Sequence, residues 1–522
     1  MFLTLNMNTK TEPLALTIDF GTQSVRVSIF NRQGEILAIK KQVYNPTYET
    51  SKPGYAEHDA SFYWDNLKQV TLALKKDHPE LLKQVTTAAM TAFRGTAIML
   101  DAEKKPVRKV ILWLDQRLAK FEPFSLFHNI AYHFLGLYQT AKLNSRRTMA
   151  RWVRQNEPET WKRVKYYVAL STYFNYLLTD QLTDSAANMI GHYPLDFITS
   201  KWYKPTHVKA AVFNIPLTML VPLKKPGELL GRITKKASSE LGLPEGLPIY
   251  AAGPDKAAET LGTGCLTNDF ANLSYGTSVS MTVPSKVYVE PEPFLPGYPS
   301  SLPNLYNIEV HINRGYWMIS WFRDNFAHKE TAEAMIDQMA VEEKLNQQMM
   351  KIPPGSEGLV LSPYWGPGLR RPEAKGAIVG WSDVHTKVHL YRAIVEGIAF
   401  GIQEGFLGMQ KRLKHKVKEI RVSGGGSKSD AICQITADIF NLPVSRVQTN
   451  ETSSLGTAIA AFLASGDFAS PEAAVASMVR VSKTFTPNPE AVLRYRYLYH
   501  KVYAKIYPKL LNLYRDLIKF NQ

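Results

Sequence analysis

From Leu14 to Val43 the chain alternates apolar and polar positions with a period of two. Val25, Val27 and Ile29 fall on one face and Arg26 and Ser28 on the other, as in a strand, where successive side chains point to opposite faces. "NRQG" at Asn31–Gly34 is a turn signal, and "EILAIKKQV" resumes the alternation. The pattern predicts three consecutive antiparallel strands, the first corner being Gly21-Thr22. The period then lengthens. After Asp59 or Ser61, either able to cap a helix, Phe62, Leu67, Val70 and Leu74 recur near helical spacing. "VTTAAMTAFRGTAIMLD" and "VILWLDQR" read as strands that run into polar loops, and Asn144–Leu178 as mostly helical and rich in aromatics. "LPIYAAGPDKAAETLGTG" is a buried strand, a Gly-Pro turn and a helix that begins at Asp255.

The plan then repeats. "ANLSYGTSVSMTV" is a second hairpin with a Gly-Thr corner. "LYNIEVHI" is a strand, a helix starts near Tyr316, and "SEGLVLSPYWGPGLRRP" continues the second half. "VHLYRAIVEGIAFGIQEGFLGMQKRL" is a long amphipathic helix, "EIRVSGGGSKSDAICQITADIFNLPV" is strand, Gly-rich turn and helix, and "LGTAIAAFLASG" is an apolar helix. The halves echo one another only in this order of elements, so the expectation is two related α/β domains with a boundary near Gly264–Asn268, rather than a solenoid.

A Gly-Thr corner has a chemical use. Glycine has no Cβ to block the approach of a phosphate to backbone N–H groups, successive N–H groups form an anion-binding concavity, and the hydroxyl adds a donor. Two such corners, Gly21-Thr22 and Gly276-Thr277-Ser278, are suited to gripping a nucleotide's phosphates from both sides of a cleft. Asp19, at the end of the strand before the first corner, is placed to hold Mg²⁺ directly or through water, or else to bond its own turn.

Composition narrows the class. The chain has 522 residues, room for two large domains, and a net charge of +16. The basic residues are scattered, without zinc-finger spacing or an RNA-binding aromatic signature, which argues for a solvated basic surface and no nucleic-acid partner. The two cysteines, Cys265 and Cys433, are far apart and outside any CxxC, so no disulfide framework or cysteine metal site is expected, and a reducing compartment suits the chain. "MFLTLNMNTKTEP" is not a signal peptide and no apolar run is long enough to span a membrane. The expectation is a cytoplasmic protein.

Six segments now carry a resemblance, from about Leu14 to about Gly466, to the FGGY carbohydrate kinases, in the superfamily of actin, hexokinase and the heat-shock chaperone ATPases. "IDFGTQSVRVSIF" resembles the first phosphate motif and "ILWLDQR" the Trp-x-Asp-x-Arg segment. "AAGPDKAAETLGTG" resembles the segment of the catalytic aspartate, "LSYGTSVSMTV" the second phosphate motif, and "SGGGSKSDAICQITADIFNLPV" the adenosine segment. "GAIVGWSDVHTKVHLYRAIVE" fits a family signature, with Trp381 where an aliphatic residue is usual.

The resemblance implies two actin-like (ribonuclease H-like) domains, each a mixed sheet flanked by helices, with a cleft between. It divides the chain into a flexible N-terminus at 1–13, a sugar-binding domain at 14–265, an ATP-binding domain at 266–485 and a C-terminal packing helix at 486–522. The activity implied is transfer of the γ-phosphate of MgATP to a hydroxyl of a small sugar, ketose or polyol. A nucleotide-dependent sugar sensor is the rival, and the intact motifs count against it. The sequence leaves a homodimer open.

Site roles follow in the same way. Asp255 opens a helix, whose N-terminus favours its ionised form, and the resemblance makes it the general base. An N-cap aspartate is its bland alternative. Asp19 and Asp255 are the metal candidates. Gly21, Thr22, Gly276, Thr277 and Ser278 would hold phosphates, and Gly424, Gly425 and Gly426 would let adenosine lie against backbone, with Asp430 and Gln434 next on the helix. Arg94, Trp113, Asp115 and Asp255 are the sugar candidates. Arg117 is either a further one or a structural ion pair of Asp115. "AFRGTAI" keeps the arginine of glycerol kinases but has Gly95 in place of their acid, and lacks the Met-His of xylulokinases. Lys256 either tunes Asp255 or points to solvent. His58 reads as a surface-loop histidine.

Overall fold

A computed structural model describes residues 12–191, 193–292, 295–365, 371 and 373–520. Most of the predicted flexible N-terminus, and part of "PYWGPGLRRP", lie outside the described residues. The chain divides into two compact units. The first takes the chain up to Gly262 together with Tyr298–Leu305 and Ser453–Val479; the second takes Thr263–Gly297, Tyr306–Thr452 and the chain from Arg480.

In the first unit the predicted meander is present as β1 (Leu14–Phe20), β2 (Ser24–Phe30) and β3 (Ile36–Val43). Three further strands, β4 (Val85–Ala92), β5 (Leu229–Arg232) and β6 (Pro248–Tyr250), complete a six-stranded sheet in the order β3-β2-β1-β4-β6-β5. The β1–β2 and β2–β3 pairs are antiparallel, β1–β4 and β4–β6 parallel, and β6–β5 antiparallel. Every residue of β1 is buried, Thr17 and Asp19 included, as in a strand covered on both faces. Helix α1 (Ala60–Asp77), opened by Asp59, covers the sheet with Tyr63, Leu67, Val70 and Leu74. Phe62 is only partly buried and stacks on His58, ring centroids 3.9 Å apart.

One expectation needs correction and another is refined. His58 is 1% exposed, and its Nε2 donates to the Pro46 carbonyl at 3.1 Å. Its place in a two-residue strand under the helix, invisible to local pattern, removes it from the surface. The 144–178 stretch is mostly helical, as its pattern predicts, in the end of Tyr138–Arg146 and in Met149–Asn156, Pro158–Arg163 and Leu170–Thr179, while Tyr166–Ala169 is a strand paired with Ala97–Leu100. That pairing overrides the local helical reading.

The second unit contains β7 (Phe270–Tyr275), β8 (Val279–Ser285), β9 (Tyr306–Ile312), β10 (Glu419–Gly424), β11 (Val444–Val447) and β12 (Val481–Phe485). These follow the order β9-β8-β7-β10-β11-β12. The successive pairs are antiparallel, antiparallel, parallel, parallel and antiparallel, the same signature as in the first sheet. Helix α3 (Lys387–Leu413) is capped by Thr386. It packs its apolar side, Ile394, Ile398 and Ile402 among others, into the core. On the same helix the Arg392 Nε donates to Glu396 at 2.7 Å, and Tyr495 of the C-terminal helix Pro489–Leu498 donates to Glu396 at 2.7 Å. Gly355 N and Ser356 Oγ also donate to Glu396, at 3.0 and 3.1 Å. A buried pair satisfied in this way orders its surroundings, and removing one partner costs about 3–5 kcal/mol because the other charge is stranded.

Candidate active site

Three adjacent parallel strands of the first unit, β1, β4 and β6, end on one rim of the sheet, where α/β folds place ligands. Asp19 is the penultimate residue of β1, Arg94 follows β4 by two residues, and Asp255 follows β6 by five. At β1 the Gly21 N–H donates to Ser24 O at 2.9 Å, closing the first Gly-Thr corner tightly. Asp19 is 3% exposed and lies in register with Arg26 on β2 and Thr91 on β4. The Arg26 Nη1 donates to its carboxylate at 3.4 Å. The alternation marks Arg26 only as a polar position; counting back across the corner pairs it with Asp19. Thr91 Oγ1 donates to Gly253 O at 3.0 Å and ties β4 to the turn before Asp255.

Trp113 joins the first corner: its Nε1 donates to Thr22 Oγ1 at 3.1 Å, and its backbone N to Thr96 Oγ1 at 3.1 Å. Arg94 lies with its guanidinium carbon 5.3 Å from the centre of the Tyr298 ring, a cation–π arrangement. Tyr298 belongs to the segment of the second half that the first unit captures, and no local signal announces it.

Asp255 is the first residue of α2 (Asp255–Gly262). The helix is seated by close contacts. A Cβ on Gly253 would come within 2.6 Å of Ser301 Oγ. One on Gly456, in α5 (Thr452–Ser465), would come within 1.9 Å of Ala258 O. Helix α4 (Asp430–Phe440), which precedes α5 in the chain, belongs to the second unit. Asp255 is half-buried and its Oδ1 accepts the Lys256 N–H at 2.9 Å. Burial pushes its pKa above the usual aspartate value; the charge of Lys256 pulls it back, Glu259 raises it and Arg94 lowers it. Lys256 does not point to solvent. Its Nζ lies 3.2 Å from Glu259, and although burial opposes its charge, Glu259 and Asp255 hold it above the usual lysine value.

Asp115 stands apart. Its two oxygens accept Ala56 N at 2.7 Å, Arg117 N at 2.9 Å, Arg117 Nε at 2.8 Å and Arg117 Nη2 at 2.7 Å. Arg117 also meets Glu57 at 3.0 Å and lies 3.8 Å from the Tyr55 ring centre. Of the two readings left open for Arg117, the geometry is that of the ion pair.

The second unit presents the same rim with different chemistry. Gly276, Thr277 and Ser278 form the half-buried corner between β7 and β8, and Trp317 N donates to Thr277 O at 3.4 Å. The three glycines after β10 are not alike. Gly424 has φ +77°, and a Cβ there would come within 2.7 Å of Tyr275 O. A Cβ on Gly426 would come within 2.5 Å of Tyr316. Gly425 is exposed, with nothing within 4 Å of where its Cβ would stand. The outer two are packing glycines; the middle one leaves bare backbone open. Asp430 is paired with Arg446 at 2.7 Å and Lys483 at 2.5 Å, and Gln434 donates to Asp438 at 2.8 Å.

The donor set fits a nucleotide and its Mg²⁺. The open backbone at Gly425 is a place a Cβ would fill. Among the described residues no cluster of three or more metal-ligating side chains exists. Asp19 is a buried carboxylate at the end of β1, the type of single protein ligand that Mg²⁺ can take beside substrate phosphates. Among the described residues no helix is long and apolar enough to cross a membrane.

The repeated sheet with its two rims defines a class of fold. A solved xylulose kinase from Lactobacillus acidophilus matches it at a TM-score of 0.81 and 20% identity, covering 97% of this chain and 100% of that one. This is a likeness of fold, that of the two-domain actin-like kinases. In sequence, an uncharacterized sugar kinase of Escherichia coli strain K12, YgcE, is 28% identical over 480 residues, 92% of this chain and 90% of that protein. A xylulose kinase of Lactococcus lactis subsp. lactis is 26% identical over 514 residues, 97% of this chain and 99% of its own. The N-terminal domain of the FGGY family of carbohydrate kinases matches residues 14–262 and the C-terminal domain residues 271–465. The chain belongs to the FGGY family of carbohydrate kinases; it is a sugar or polyol kinase.

Proposed function

We propose that the chain transfers the γ-phosphoryl group of MgATP to a hydroxyl of a small sugar, ketose or polyol, with Asp255 as general base. The observation that carries this reading is Asp255 itself: a half-buried carboxylate opening a seated helix on the rim that also bears the first Gly-Thr corner. Burial brings its proton affinity nearer to the working pH while Lys256 and Arg94 favour its charged form, the balance a base requires.

On this reading Asp255 accepts the acceptor's hydroxyl proton as that oxygen attacks the γ-phosphorus in line. The bond from phosphorus to the β–γ bridging oxygen breaks and ADP leaves. Little covalent chemistry is asked of the protein beyond positioning and charge. Gly21-Thr22 and Gly276-Thr277-Ser278 hold phosphate oxygens, and Gly424, Gly425 and Gly426 lie against adenosine, with Gly425 the exposed member. Arg94 binds acceptor hydroxyls and Trp113 its C–H face. Asp115, its oxygens engaged by Arg117 and backbone, acts by fixing the loop that carries Trp113. Mg²⁺, when bound, supplies charge neutralisation at the phosphates, with Asp19 as its protein ligand directly or through water, and Asp255 the second candidate. The acceptor groups are assigned to 14–265 and the nucleotide to 266–485. The reaction is placed in the cytoplasm, where two free, buried cysteines are at home.

A coupled ADP-release screen over pentoses, pentuloses, polyols and tetroses tests the reading. ADP release that requires one of these acceptors and yields its phosphate supports it. Nucleotide and sugar binding without transfer, or ADP release indifferent to every acceptor, contradicts it.

A further inference from the structure

Arg94 stands two residues past the end of β4, on a long stem with many rotamers, and a guanidinium on such a stem must be held before it can fix another group. Its guanidinium carbon lies 5.3 Å from the centre of the half-buried Tyr298 ring, within cation–π range. Tyr298 is itself fixed. Phe197 meets its ring edge to face, centroids 5.8 Å apart and planes at 85°, and Phe197 packs on the core cluster that holds Met189, Tyr193 and Leu195. Beyond Tyr298 the segment is anchored. Pro299, Ser300, Ser301 and Leu302 are all buried, and Ser300 N donates to Leu305 O at 2.9 Å. Ser301 is pressed against the turn before Asp255: its Oγ stands 2.6 Å, and its Cα 3.2 Å, from where a Cβ on Gly253 would be.

We infer that Tyr298 is a positioning residue of the acceptor site: its ring face sets where the Arg94 guanidinium stands relative to Asp255, and so where the acceptor's hydroxyls are held. The inference rests on the proposed reading, in which Arg94 binds those hydroxyls and Asp255 takes the proton. Its first support is that one short segment touches both places, Tyr298 at Arg94 and Ser301 at the Asp255 turn. Three residues span at most about 11 Å, so the two contacts lie within reach of one small acceptor. The second support is electrostatic. The charge of Arg94 favours the ionised form of Asp255 and opposes that of Lys256, so the guanidinium stands close enough to both for its placement to matter. A ring holds a cation without neutralising it, which keeps that influence intact. The third is the sensitivity of transfer to placement: about 1 Å of misplacement at a group that orients substrate can cost about 100-fold in rate.

A double-mutant cycle on the full chain tests this, with wild type, Tyr298→Leu, Arg94→Gln and the double variant. Each is assayed by coupled ADP release with the acceptor of highest turnover in the screen, D-xylulose being tried first. Tyr298→Leu is expected to lower kcat/KM for the acceptor by roughly 10- to 100-fold and to leave the KM for ATP in place. In the Arg94→Gln background the same change costs no more than about 2-fold, because Tyr298 acts through Arg94. Tyr298→Phe keeps the ring face and is expected to bring the rate back to within about 3-fold of wild type. The acid limb of the Tyr298→Leu profile moves to higher pH as the Arg94 charge is less firmly held near Asp255, a shift that a merely structural residue would not give. Urea melts of the four proteins read the contact with no acceptor present, and the loss in the double variant is expected to fall short of the two single losses added. An unchanged acceptor kcat/KM in Tyr298→Leu overturns the inference, as do losses that simply add in rate and in melts. A Tyr298→Leu defect that strikes ATP and acceptor alike and is not rescued by phenylalanine overturns it too. Arg94→Gln at the wild-type acceptor kcat/KM is a different failure: it removes Arg94 from the acceptor site, and the inference falls with that part of the reading. A wild type without acceptor-dependent ADP release overturns the proposed function and this inference together.

Discussion

The two sheets share every pairing direction among these strands and differ in order only in which of the last two strands comes first in the chain, yet their rims carry opposite kinds of chemistry. Where the first sheet reads Asp19-Phe20-Gly21-Thr22, the second reads Ser274-Tyr275-Gly276-Thr277. Where β4 runs into Arg94, β10 runs into three glycines. Asp255 opens the helix after β6, and Thr452 the helix after β11. The first rim is built of charged side chains, the second of hydroxyls and bare backbone. The fold supplies a repeated set of loop positions, and what they do depends on which residues fill them. On the proposed reading, side-chain charge serves the reacting hydroxyl and backbone serves the nucleotide.

The glycine rim gives the largest break in that comparison. Gly424→Ala, strained at positive φ and crowded by Tyr275 O, is expected to cost on the order of 3 kcal/mol of stability by denaturant melts. A variant as stable as wild type would show the turn to be more yielding than its geometry states. The charged rim comes next. Asp19→Asn is expected to raise the Mg²⁺ concentration for half-maximal rate by about 10-fold or more. Ser274→Ala, at the matching place in the other sheet, leaves it unchanged. Equal responses would erase the distinction drawn between the two corners.

Gly425→Ala should fold as wild type, its Cβ meeting open space. If adenosine lies there, the KM for ATP rises by roughly 10-fold with kcat nearly kept, the pattern of lost ground-state binding. An unchanged KM removes Gly425 from the nucleotide site. The smallest effect belongs to Lys256→Met. Lys256 favours the charged form of Asp255, so its loss moves the acid limb of the kcat/KM profile to higher pH. A limb that stays in place, or moves down, contradicts the coupling.

Asp255 makes a stability prediction of opposite sign to its activity. Its pKa is raised on folding, so its charge weighs against the fold. The cost is absent below the ordinary aspartate range and is complete once pH passes the raised value. Asp255→Asn is therefore expected to melt no lower than wild type at neutral pH, as removal of a functional charge often does.

What the sequence made legible was local or repeated. Both hairpins follow from period-two alternation, and Asp255 and the Gly-rich turn are marked by strand–turn–helix order. What it hid was distant in the chain. That Tyr298 lies over Arg94, that Gly456 of α5 lies close against Ala258 of α2, and that Ser453–Val479 packs in the first unit are contacts across long separations. Asp115 shows the limit best. Its spacing from Arg117 allowed two readings, and only the four bonds filling its oxygens distinguish them. The equal-looking glycines at 424, 425 and 426 likewise part company only when their neighbours are placed.

The central claim is that Asp255 takes the acceptor's proton, and single-turnover transfer tests it most directly. With labelled ATP and the acceptor found in the screen, rapid quench of wild type and Asp255→Asn reads the chemical step alone. The account predicts a rate lower by roughly 100- to 10,000-fold in the variant, with nucleotide binding retained. Transfer at the wild-type rate would contradict it.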